Sequence, residues 1–430
     1  MRALHEILAQ HILADGLPIV LDLIHSNGSY IQDVNGDTYL DMFSMFASSP
    51  VGYNHPHIVA QQEFLGKMAV NKPALSDAYP QEYGAVIETF ARVAIPTELP
   101  YCFFICGGAL AVENALKAAF DWKTRLNLRQ GKTKEASQII HFKQAFHGRS
   151  GYTLSMTNTK DPRKYMYFPK FDWPRISNPK LHFPLTEASV NETIENEKEA
   201  IRQIEAAISN NPDDIAAIIL EPIQAEGGDN HFRKEFFQAL RNICDQHDIL
   251  LILDEVQTGL GMTGKMWAYQ HFGIIPDLIA FGKKTQVCGI LANKEKFDRV
   301  EDHVFVQSSR INSTFGGNFV DMLRFQFILE IIEQEDLVDH AAQVGEYLLR
   351  KVSDLVSRKT FLSNPRGLGL LVAFDFETSE QRDSFLAKTM ENKLLLLGCG
   401  EKSIRFRPHL NVKQADIDQA MLIVEQSLHA

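Results

Sequence analysis

Five short apolar runs, at 101–105, 138–142, 215–220, 249–253 and 278–281, limit what this 430-residue chain can become. Stretches of helical periodicity separate them, among them 109–126, 193–209 and 234–247. A run that is apolar throughout suits a strand buried on both faces, and alternation with helices suits parallel pairing. The chain therefore reads as α/β, with a large, mainly parallel sheet covered by helices on both faces. After about residue 310 long helices, 337–358 and 412–428, flank short strands near 368–376 and at 404–406. This second pattern reads as a smaller α+β domain. The expected division is 1–60 as an N-terminal arm and part of the small domain, 61–310 as the large ligand-binding domain, and 311–430 as the small domain. Within the arm, Asn35-Gly36 marks a hairpin turn, and 1–16 reads as a short amphipathic helix and not a signal peptide.

Composition removes several classes of function. A formal net charge of -11 argues against nucleic-acid binding, which needs a basic surface. No apolar stretch approaches membrane-spanning length. The five cysteines are odd in number and lack C-x-x-C spacing, which suits a reduced, cytoplasmic protein. His55 and His57 have no third ligand nearby, so no metal site is expected.

Ligands of parallel sheets gather beyond the carboxyl ends of the strands. Each run is followed there by residues with chemical use. Gly107-Gly108-Ala109 opens a helix after 101–105, where free N–H groups and the helix dipole suit a phosphate. An ordinary strand–helix turn would look the same. Phe146-His147-Gly148-Arg149 follows 138–142, placing a ring that can cover a flat heterocycle beside an arginine that can grip a carboxylate. Glu221 and Glu226 follow 215–220. Asp254 ends the fourth run, where a carboxylate could pair with a protonated ring nitrogen, and Gln257 lies three residues on. Gly282-Lys283-Lys284 follows the fifth. A lysine at the end of a buried strand is seldom needed for folding, but its amine can form a Schiff base with an aldehyde cofactor. Thr314 lies in a small-residue loop, 312–318, that could hold phosphate.

In their order along the chain these motifs resemble the class III, fold-type I aminotransferases that depend on pyridoxal 5'-phosphate. The resemblance covers nearly everything from about Asn35 onward, and 254–283 is its most specific portion. It implies that Lys283 carries the cofactor as a Schiff base and that Asp254 binds the pyridine nitrogen. Gln257 would bind the ring oxygen, Phe146 would stack on the ring, and Gly108 and Ala109 would hold the phosphate. Thr314 from the second subunit of a homodimer would help them. Gly107 departs from the Ser common in the family and removes one expected hydroxyl contact. The words at 107–117, 168–175 and 281–289 resemble the branch that passes the ε-amine of L-lysine to 2-oxoglutarate. In that branch Arg149 would bind the lysine α-carboxylate and later the distal carboxylate of 2-oxoglutarate. Arg405 would bind the α-carboxylate of the oxoacid, and Glu226 would neutralise it while lysine is bound. Branches acting on ornithine or 4-aminobutyrate share these residues. A nucleotide hydrolase is the rival from another class, because 251–255 looks like a Walker B strand and 259–266 nearly spells a P-loop. Met266 stands where magnesium needs a Ser or Thr, and the loop follows the acidic strand directly.

Overall fold

The computed structural model describes residues 4–429. A seven-stranded sheet forms the centre of the larger part. Its order is Tyr101–Ile105, Cys288–Ala292, Leu278–Phe281, Leu250–Asp254, Ile215–Leu220, Gln138–Phe142 and Arg175–Ile176. Cys288–Ala292 runs antiparallel to both of its neighbours, and the remaining pairs are parallel. Tyr101–Ile105 therefore points the same way as the central strands, and all of their carboxyl ends share one edge. All six residues of Ile215–Leu220 and all five of Leu250–Asp254 are buried, as continuous apolar runs between helical layers require. Each fully buried Ile or Leu there contributes about 1.5–3 kcal/mol of apolar transfer. Trp267 closes the core under the sheet, its indole N–H donating to the Ala94 carbonyl at 2.7 Å.

A second, antiparallel sheet has the order Leu362–Leu368, Leu371–Phe376, Ser403–Phe406, Leu397–Cys399. Helix Leu337–Ser357 packs against its first two strands. The short strands expected near 368–376 are thus the two arms of a hairpin, turned by Gly369 at φ +56. Tyr30–Asp33 and Thr38–Asp41 form the Asn-Gly hairpin, and Thr38–Asp41 also pairs with Leu394–Leu395. The amino-terminal arm is thereby tied to the carboxyl-terminal part. His55 and His57 pair with Glu335 and Glu330 at 3.0 and 2.8 Å, which gives them a structural role.

Some expectations need correction. The amino-terminal helix is only Leu4–Leu8, with no buried residue, and residues 1–3 lie outside the described ones. An isolated helix of that length has no packed face to stabilise it. The helix expected at 193–209 begins at Glu187, because Thr186 and Ser189 form a capping box. Helix Phe319–Gln334 was not anticipated. It is apolar on most of its faces and buries nine residues, so it lacks the amphipathic stripe that betrays a surface helix. Among the described residues no helix is long and apolar enough to cross a membrane.

Candidate active site

The carboxyl edge of the large sheet opens into a cavity of about 620 Å³. Lys283, Asp254, Gly108, Ala109, Phe146, Gln257, Arg149 and Glu226 all line it. These side chains come from five loops, brought together because five strands of one direction end on the same edge. Arg405 reaches the cavity through Glu226. Thr314 does not reach it within one chain: it is exposed, and its carbonyl accepts from the Ser76 hydroxyl at 3.1 Å.

Lys283 begins a tight turn after Phe281. It sits at φ +54, a left-handed conformation that costs a non-glycine residue on the order of 1 kcal/mol or more. Gly282 before it is required by space, since a Cβ there would lie 2.9 Å from the Cys288 sulfur. The Lys283 amine has no hydrogen-bond partner among the described residues. Burial, reinforced by the guanidinium groups of Arg405 and Arg407, lowers its pKa to about 8. Lys284 points elsewhere. It is fully buried, and its amine donates to the Gln257 carbonyl at 2.6 Å, with the Ala47 carbonyl at 3.5 Å. The two adjacent lysines are separated by this difference: one amine faces the cavity, and the other ties three loops together.

Asp254 is buried, and each of its oxygens has a partner. Oδ1 accepts from the Val256 N–H at 3.1 Å, and Oδ2 lies 2.8 Å from His147 Nδ1. Burial works against protonation of His147, but the hydrogen bond to Asp254 and the charges of Asp254 and Glu221 outweigh it and raise its pKa. Glu221 is also buried, and it accepts from the N–H groups of Phe146 and Ala225 at 2.9 and 3.2 Å. Burial pushes its carboxyl well up. His147 has no evident role from the sequence alone; in the structure it is the group that orients Asp254.

Gln257 is oriented by Arg407, whose Nε donates to Gln257 Oε1 at 2.9 Å. With that oxygen occupied, the amide N–H₂ is the end left for a ligand. Arg407 is fully buried and pairs with Asp229. It was not anticipated, although a second arginine two residues after Arg405 was a visible signal. Arg405 donates from Nη2 to Glu226 Oε2 at 2.8 Å, while its Nε and Nη1 are buried without a partner. Buried guanidinium donors left open in this way suit an incoming carboxylate.

The arrangement fits pyridoxal phosphate. Gly107, at φ +108, precedes helix Gly108–Arg129 and leaves open space where a Cβ would stand, so the first-turn N–H groups are open to an incoming anion. An aromatic ring, a carboxylate, a free amine and an amide donor surround the remaining volume. The hydrolase alternative finds no such fit. Glu255 is turned away to accept from the N–H groups of Ala268 and Tyr269 at 3.0 and 2.8 Å.

Comparison with known proteins agrees with this geometry. A sequence model described as aminotransferase class III matches residues 13–428. An L-lysine-epsilon aminotransferase of Mycobacterium tuberculosis is 49% identical over 430 residues, covering 99% of this chain and 95% of that protein. A 4-aminobutyrate aminotransferase of Dictyostelium discoideum is 35% identical, covering 95% and 84%. The solved structure of the M. tuberculosis lysine aminotransferase in its internal aldimine form superposes with a TM-score of 0.96, covering 99% of this chain and 98% of that one.

Proposed function

The chain belongs to the class III aminotransferases, and from that premise we propose that it transfers the ε-amino group of L-lysine to 2-oxoglutarate. The products would be 2-aminoadipate 6-semialdehyde and L-glutamate. The observation that carries this reading is one cavity lined by a free amine, Lys283, and by Glu226, which holds the guanidinium of Arg405 behind it. The identity of 49% to an L-lysine-epsilon aminotransferase favours lysine over 4-aminobutyrate, whose aminotransferase stands at 35%.

Pyridoxal 5'-phosphate, the cofactor of the family, supplies an aldehyde for the amine and a cationic ring that absorbs the electrons of a carbanion. Gly108 and Ala109 would hold its phosphate, Phe146 would cover the ring, and Gln257 would donate to the ring oxygen. Asp254, held by His147 and the Val256 N–H, would keep the ring nitrogen protonated. Lys283 Nζ would take the proton lost from the ε-carbon of lysine and deliver it to C4' of the cofactor, and in the second half-reaction would carry a proton the other way, from C4' to C2 of the oxoacid. Arg149 binds the carboxylate at the far end of either substrate. Arg405 binds the α-carboxylate of 2-oxoglutarate, and Glu226 cancels its charge while lysine is present. We read the protein as a cytoplasmic homodimer in which Thr314 completes the phosphate site of the second copy. Its exposure, and its absence from the lining of the cavity in its own chain, support that role.

Half-reaction rates with lysine, ornithine and 4-aminobutyrate, followed by cofactor absorbance, test the assignment. Lysine should be preferred over each of the others by at least about tenfold, the scale of one charged contact. A faster reaction with either competitor overturns it. Capture of the cofactor by the apoprotein should also depend on pH. Only the neutral amine attacks the aldehyde, and the Lys283 pKa is lowered to about 8. The capture rate should therefore rise through pH 7 and level off above about 8, whereas an ordinary lysine would keep rising to about pH 10.

A further inference from the structure

Glu226 is held by two cations. Its Oε2 accepts from Arg405, and its Oε1 accepts from Lys164 Nζ at 2.5 Å. Lys164 ends the short turn Pro162–Lys164, which Asp161 caps by accepting from the Arg163 N–H at 3.1 Å. The turn sends neighbouring charges opposite ways. The Arg163 side chain is 80% exposed, whereas that of Lys164 is 25% exposed and reaches over the Phe146 ring, 5.8 Å from its centroid. Burial opposes ionisation of Glu226, and the two cations outweigh it, so the carboxylate stays charged at neutral pH.

We propose that Lys164 is a specificity-determining residue that receives the Glu226 carboxylate when Arg405 turns to the α-carboxylate of a dicarboxylate substrate. The proposal rests on the gated arginine described above and adds what the gate lacks. When Glu226 leaves Arg405 it is half-buried, and without another cation it would stand unpaired, which is costly in such surroundings. Lys164 is already bonded to the oxygen that Arg405 does not use, so a small rotation lets it keep the whole charge. With Arg405 still engaged, Lys164 matters less, because Glu226 then has a second partner. Loss of Lys164 therefore penalises the open gate more than the closed one. It should weaken the dicarboxylate step selectively.

The test uses holoenzyme carrying Lys164→Met, Lys164→Arg, Glu226→Gln, or Lys164→Met with Glu226→Gln. Glutarate, a dicarboxylate that cannot react, is titrated by calorimetry, and both half-reactions are followed by cofactor absorbance. Lys164→Met should weaken glutarate binding and raise the KM for 2-oxoglutarate by about five- to tenfold, the range of one partly screened ion pair, with kcat changed much less. Lys164→Arg should recover most of the loss. In the Glu226→Gln background Lys164→Met should add nothing, since no carboxylate remains to be received. Glutarate affinity unchanged in Lys164→Met, while Glu226→Gln still shifts the balance of the two half-reactions, would overturn the proposal and leave the gate intact. An equal loss in both backgrounds would also overturn it, because Lys164 would then act on the ligand directly. A Glu226→Gln protein with an unaltered balance would remove the gate itself.

Discussion

Lys283→Ala protein should not turn yellow through a covalent bond to pyridoxal phosphate, and its transamination rate should fall by more than about 10⁴-fold. Two effects combine in that loss: the covalent attachment that primes the cofactor, and the proton transfer at the ε-carbon, itself worth about 10²–10⁴-fold. The neighbouring lysine cannot substitute. Lys284 is buried with its amine donating to the Gln257 carbonyl at 2.6 Å, and burial beside Lys283 and Arg407 holds its pKa well below that of a free lysine. Lys284→Met should accordingly retain the covalent cofactor. Borohydride fixation followed by peptide mapping distinguishes the two amines. Label on residue 284 in the unmodified enzyme, or turnover preserved in Lys283→Ala, contradicts the assignment.

Asp254→Asn should lower kcat/KM for lysine by about 10³-fold or more, the scale on which preorganised electrostatic stabilisation is lost. The amide keeps the shape but loses the charge that favours a protonated ring nitrogen. It also disturbs its surroundings. The pKa of His147, at 2.8 Å, is raised by its hydrogen bond to that carboxylate and by the carboxylate's charge, so it should drop, while the repulsion that helps raise the Glu221 pKa should ease. The absorbance of bound cofactor should remain, because Lys283 is untouched. His147→Gln should cost less, about tenfold, since it acts on the ring only by positioning Asp254. Full activity in Asp254→Asn with bound cofactor would show that the ring nitrogen needs no counter-charge here.

Several features were legible because their causes are local. The runs at 101–105, 138–142, 215–220 and 278–281 are strands with those same limits, and where burial is continuous, at 215–220 and 278–281, the apolar word is continuous too. The hairpin at Asn35-Gly36 follows from the conformation those two residues tolerate. Cys288–Ala292 escaped notice because it returns antiparallel only seven residues after Phe281, inside a sheet whose pattern implied parallel crossovers. His147 and Arg407 were visible as residues, but their roles depend on what they touch. His147 meets Asp254 across 107 positions, and Arg407 meets Gln257 across 150.

The sequence by itself determined the class of fold and which loops would meet at one edge, because hydrophobic periodicity is written along the chain and strands joined through helices run parallel. It also supplied the amine, the carboxylate and the phosphate turn. Only the tertiary structure decided which of two adjacent lysines faces the cavity, which end of the Gln257 amide is occupied, and that Glu226 stands between Arg405 and Lys164. Those outcomes rest on charges and hydrogen bonds closed over long separations in a poorly solvated interior. There a partner a few ångströms away outweighs anything that residue type alone prescribes.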